Sequence, residues 1–186
     1  MQIRYAMPDV HGRSVKEMEK IWYLLKCPEG KEQDLTRKYK ALAEWRELKE
    51  VACFEYQRMM RYGGSWHLER RPLLPGYVFL SVRGDELPPD DMLLPVDYRA
   101  EPEGIDISII PCGFPYMKTL CQRDNLVSMS KGIIKNGNPM VTSGPLKSRE
   151  ELIRRIDRHK RTADIEIPLG TGKRQVTVGL EIYEKS

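Results

Sequence analysis

The stretch "RRPLLPGYVFLSV", residues 70–82, joins two arginines to a Leu-Leu-Pro-Gly elbow and then to six residues of strand character. Side chains of a strand alternate between its faces, so Tyr77, Phe79 and Ser81 point one way and Val78, Leu80 and Val82 the other. Both faces carry large apolar groups. Such a strand is either buried between two layers, or covers a core on one side and meets a partner on the other. Leu74, Tyr77 and Phe79 are therefore read both as core and as candidate partner contacts.

Working outward, "IWYLLKC" (21–27) is an apolar run of strand length. In the segment after it, Leu35, Tyr39, Leu42 and Trp45 recur at helical spacing with charge elsewhere, which predicts an amphipathic helix lying on a sheet. "VACFEYQRMM" (51–60) and "WHLERR" (66–71) flank a Gly63-Gly64 pair, a hairpin signal. These elements predict an α+β unit, an open antiparallel sheet with packed helices. Residues 83–110 are rich in proline and acid and read as an insertion, and "FPYMKTLCQRDNLVSM" (114–129) as a closing helix with Met117, Leu120 and Cys121 inward.

The texture changes again from Lys131. "KGIIKNGNP" reads as a turn-rich linker, and "MVTSG", "ADIEIPL" and "QVTVGLEIYE" as short strands of a small SH3-like β-barrel. The expected organisation is a polar leader at 1–20, a first domain at 21–124, a linker at 125–137 and a second domain at 138–186. In "SREELIRRIDRHKR" (148–161), Ser148 and Glu151 have capping-box spacing, which favours a helical turn over a strand.

Composition excludes several function classes. The chain has 186 residues, 31% of them charged, and a net charge of only +4, so charge balance alone does not announce a nucleic-acid binder. Distribution says more. Lys147, Arg149, Arg154, Arg155, Arg158, Lys160 and Arg161 face only Glu150, Glu151 and Asp157 across 147–161, a local excess of +4 that equals the whole chain's. His159 stands within this run, and Lys173 and Arg174 belong to a neighbouring turn. Guanidinium groups bind phosphate bidentately and stack on bases, so this cluster is the candidate RNA-binding surface; a solvated charged turn is the simpler alternative.

No apolar run approaches the ~20 residues that span a bilayer, and the first twenty residues hold no signal-like core. Cys27, Cys53, Cys112 and Cys121 form no C-x-x-C pair, which suggests reduced thiols in a cytoplasmic protein. His11, His67 and His159 lack metal-ligand spacing, and "GTGK" (170–173) lacks the length of a phosphate loop, so neither enzyme chemistry, nor a metal, nor a cofactor is expected.

"WYLLKCPEGKEQDL" (22–35) followed by "PLLPGYVFL" (72–80) resembles the amino-terminal domain of the NusG family of transcription elongation factors, and residues from "VTSGPL" onward resemble its KOW domain. More narrowly, "MRYGGSWHLERRPLLPGYVF", "MSKGII", "TSGPL", "IDRHKR" and "VGLEI" resemble the LoaP branch of specialised NusG paralogues. The resemblance covers about two thirds of the chain and leaves out the leader and residues 83–115. It implies a first domain that sits on the clamp helices of bacterial RNA polymerase, with Leu74, Tyr77 and Phe79 at the contact. It also implies operon-specific antitermination, with a leader-transcript RNA hairpin held by the second domain. Ser148 and Glu151 stand where the family usually has glycines after "GPL", which predicts an altered turn. A different class of function stays open: an RNA- or ribosome-binding adaptor using the barrel alone. A monomer meets both readings.

Overall fold

The computed structural model describes residues 21–43, 48–82, 109–112, 116–121, 124–170 and 172–185. The predicted leader and nearly all of the 83–110 insertion lie outside them. The fold is mostly sheet with few helices.

Strand β1 (Ile21–Lys26) leads into helix α1 (Glu32–Ala43), followed by β2 (Leu48–Ala52), the hairpin β3 (Glu55–Tyr62) and β4 (Ser65–Pro72), β5 (Tyr77–Val82) and β6 (Ile109–Cys112). The first sheet runs in the order β2-β5-β1-β6 and is antiparallel throughout. Helix α1 covers one of its faces. Leu35 and Tyr39, four residues apart and fully buried, pack with Tyr23, Leu25, Val51, Val78 and Leu80. The Leu42 and Trp45 side chains of the same predicted stripe lie outside the described residues.

The Leu-Leu-Pro-Gly elbow has a specific backbone reason. Tyr77 N–H donates to the Leu74 carbonyl at 3.3 Å, with Pro75 and Gly76 between them and Gly76 at φ 78°. Pro at the second position and a positive-φ Gly at the third are the requirements of a type II turn. A β-carbon on Gly76 would also sit 3.0 Å from the Cys27 carbonyl. The buried Glu32 carboxylate accepts the Gly76 N–H at 2.6 Å, tying α1 to the start of β5.

The expected single sheet is two. Segment 51–60, read as one strand, breaks at Cys53-Phe54: Phe54 turns into the core, and its carbonyl accepts the Leu73 N–H at 2.8 Å. β3 and β4 thereby leave the first sheet and form a second with β7 (Leu126–Val127), in the order β4-β3-β7. Gly63 and Gly64, at φ 58° and 79°, make the tight turn between β3 and β4. The closing helix is reduced to one turn, α2 (Met117–Leu120), whose Met117 and Leu120 are buried as expected.

The third sheet, ordered β10-β11-β12-β8-β9, is built from β8 (Ser130–Lys135), β9 (Asn138–Ser143), β10 (Ile153–Asp157), β11 (Thr162–Leu169) and β12 (Gly172–Lys185). Its pairing is that of an open sheet. The long β12 pairs antiparallel with β11 along its first half and parallel with β8 along its second. The segment read as a linker is therefore structural: "NG" at 136–137 has φ 50° and 79° and is a hairpin turn joining β8 to β9. Segment 148–157 divides between the two readings offered for it, a 3₁₀ turn at Glu150–Leu152 and then strand β10. Ser148, where a glycine was anticipated, adopts φ 61°. In "TSGPL", Gly144 has φ 93° and its β-carbon would lie 2.6 Å from the Ser130 Cα, so the turn closes only with glycine.

The two halves share a core. Trp22, Leu24, Phe54, Leu74, Phe79, Met117 and Leu120 of the first half belong to one contiguous buried cluster with Val141, Leu146, Ile165, Ile167, Val176, Val178 and Leu180 of the second. Met129 N–H donates to the Gln57 side chain at 3.1 Å, and a β-carbon on Gly179 of β12 would collide with the Gln57 carbonyl of β3. Strand β5 is thus buried on both faces, against α1 on one and in the cluster shared by the two halves on the other.

Candidate nucleic-acid and partner surfaces

The strand face comes first. Leu74 is 4% exposed and Phe79 not at all, and Phe79 meets Phe54 edge-on at a centroid distance of 4.9 Å. Tyr77 is half-buried against the shared core, with the Arg174 guanidinium 5.4 Å from its ring centroid. All three candidate partner residues are brought together as the sequence implies. Leu74 and Phe79 lie inside the buried cluster that both halves share, so a partner reaches them only when that core opens.

The basic cluster divides by its pairing. Glu166 on β11 accepts from Arg154 Nε at 3.0 Å and lies 3.0 Å from Lys173 Nζ; these hydrogen bonds, Lys173's first, hold its carboxyl below the usual glutamate range. Asp157 accepts the Lys160 backbone N–H at 2.9 Å and pairs with its ammonium at 3.9 Å, and the backbone bond is the main cause of its own lowered pKa. Arg161, at φ 52°, pairs with Glu181 at 2.8 Å and lies 3.9 Å over the ring of Trp66 on β4, so it connects the two halves. Arg149 donates to the Pro145 carbonyl at 3.1 Å. Lys147, Arg155, Arg158 and His159 are exposed and have no ion pair among the described residues. The β10–β11 turn, residues 158–161, carries the freest of these groups.

One surface escaped the sequence reading. The β3–β4 hairpin exposes Tyr62, Trp66 and Leu68, and the Tyr62 and His67 rings stack at 3.7 Å and 10°. The signal was present: directly paired residues share a face, so Tyr56, Arg58, Met60 and Tyr62 align with Arg71, Glu69, His67 and Ser65. That face combines Tyr56, Tyr62 and His67 with Arg58 and Arg71 and one carboxylate, Glu69, which pairs with Arg71 at 2.8 Å.

Among the described residues no group of three or more His, Cys, Asp or Glu could hold a metal ion, and no helix is long and apolar enough to cross a membrane. Burial pushes the Cys27 thiol up to about 11 and the Cys121 thiol up to about 12. Both are therefore poor nucleophiles.

No protein-family model matches the chain. No curated protein matches it either. Among solved structures, one described as "Domain interaction in Thermotoga maritima NusG" aligns with 89% of this chain and 95% of that one, at 16% identity and a TM-score of 0.48.

Proposed function

We propose that this protein is an operon-specific transcription antitermination and elongation factor of the NusG type, without catalytic activity of its own. Its β5 face, Leu74, Tyr77 and Phe79, engages the clamp helices of RNA polymerase after the core shared by the two halves has opened, and its β10–β11 turn holds an RNA hairpin of the leader transcript. The sequence motifs around residues 72–80 and 142–161 supply the family reading. The observation that carries the RNA half is the end of β10 and the turn after it, where Arg155, Arg158 and His159 are exposed and the two arginines have no ion pair among the described residues. Free guanidinium groups on a rigid strand end are pre-organised for phosphate.

The test uses the full chain, a fluorescein-labelled RNA hairpin and a scrambled control across a salt series, together with retention of purified bacterial RNA polymerase on the immobilised protein. Selective, salt-dependent RNA binding weakened by Arg158→Ala, with polymerase retained, is the expected result. RNA binding without polymerase retention would favour the RNA or ribosome adaptor. The burial of Leu74 and Phe79 gives that second reading its specific support.

A further inference from the structure

A polar cleft of about 230 Å³ lies between the two halves, on the face of β3 that carries Tyr56 and Arg58. The carboxy-terminal sheet closes it with Arg155, Lys160, Asp157 and Asp164. Both carboxylates are already engaged, Asp157 by Lys160 and Asp164 by the Thr177 hydroxyl at 2.8 Å. Arg58 lines this cleft half-buried, with its terminal nitrogen against the Met60 sulfur. A half-buried guanidinium gains from an acceptor in the cleft on the donors it still presents there. Arg58, Arg155 and Lys160 against Asp157 and Asp164 leave the lining one positive charge in excess, so that acceptor is an anionic oxygen.

The same face of β3 continues from Arg58 through Met60 to Tyr62, a path of about 13 Å. It ends at the stacked Tyr62–His67 pair, with Tyr62 53% exposed. Cations at one end and an open aromatic stack at the other match the alternation of phosphate and base along a single strand.

We propose that this groove is a second RNA subsite: a phosphodiester of a single-stranded RNA segment sits between Arg58, Arg155 and Lys160, and a neighbouring base stacks on Tyr62 and His67. The proposal rests on the RNA reading above and deepens it, because the site joins the amino-terminal hairpin to the β10–β11 turn. The cleft exists only while the halves are packed together. Occupying it and occupying the β5 face therefore oppose one another by the same factor in each direction.

The experiment measures anisotropy of a fluorescein-labelled oligoribonucleotide of about ten nucleotides with the full chain, from low to moderate salt. Tyr62→Ala is expected to weaken binding about fivefold to a hundredfold with an unchanged salt slope, since stacking carries no charge. Arg58→Gln is expected to weaken it and to reduce the salt slope by about one. Tyr183→Ala, at an exposed tyrosine elsewhere, should do neither. Thermal melts of each variant check folding. If Tyr62→Ala and Arg58→Gln both bind like the parent while Arg158→Ala is weakened, the groove is overturned and the turn stands alone as the RNA site. If the parent chain binds neither this probe nor the hairpin, the RNA reading and the groove fall together.

Discussion

Two regions were picked out by their residues, and the structure treats them oppositely. The β5 face, chosen for its apolar side chains, is buried in the core that the two halves share; the β10–β11 turn, chosen for its charge, is open to solvent. An apolar face gains from any cover that excludes water, including another part of the same chain. Exposed cations gain little from one another and remain outside. The contrast separates a surface that must be uncovered from one that is ready for use.

The largest effect should come from the sequestered side. Phe79→Ala removes a fully buried ring from the shared core, and a loss of about 3–5 kcal/mol is expected in a denaturant titration. A small loss would mean that Phe79 already faces solvent in the free protein. Next comes the open side. Arg158→Ala should weaken RNA binding more than Arg154→Ala, because Arg154 is committed to Glu166. Parallel salt titrations measure it, with about one unit of slope lost for Arg158→Ala. Equal effects would show that the ion pair does not restrain Arg154.

The pairing predicts a gain as well. Glu166→Gln should raise RNA affinity a few-fold, since it releases Arg154 and Lys173 and removes a repelling charge. Acid should act in the same direction. Glu166's folded pKa is depressed, so its pairing stabilises the fold above the unfolded value and is lost as pH falls through the folded one, freeing both cations. The smallest effect concerns the thiols: Cys27 and Cys121, pushed up to about 11 and about 12, should alkylate far more slowly at pH 8 than a free cysteine. Rapid labelling of Cys121, which packs against the shared cluster, would mean that this core opens frequently, and rapid labelling of Cys27 that α1 lifts from the first sheet.

Much of the local structure was legible. The Pro75-Gly76 elbow, the Gly63-Gly64 hairpin and the Leu35/Tyr39 stripe of α1 each follow from rules acting over a few residues. The split at Cys53-Phe54 was not, because it depends on Phe54 having a pocket to enter. The "NG" at 136–137 reads in sequence as part of a linker, and only the pairing of β8 with β9 and β12 makes it a hairpin turn. At the candidate sites, Tyr77 and Phe79 could be placed on one face, yet core and partner contact demand the same side chains. The cover could be identified only in three dimensions. Likewise the cluster at 147–161 was visible as charge, while its division by Glu166, Asp157 and Glu181 required partners distant in sequence or fixed by a turn.

The central claim is that the proposed polymerase contact on the β5 face is closed off in the core that the two halves share. Gly179→Val tests it most directly, because a side chain there strikes the Gln57 backbone of β3 and pushes the halves apart at one point. RNA polymerase retention is compared for the parent, Gly179→Val, and Gly179→Val combined with Tyr77→Asp, after melts confirm that each is folded. The account predicts increased retention for Gly179→Val and its loss in the double variant. Retention that is unchanged by Gly179→Val, or that survives Tyr77→Asp, would contradict it.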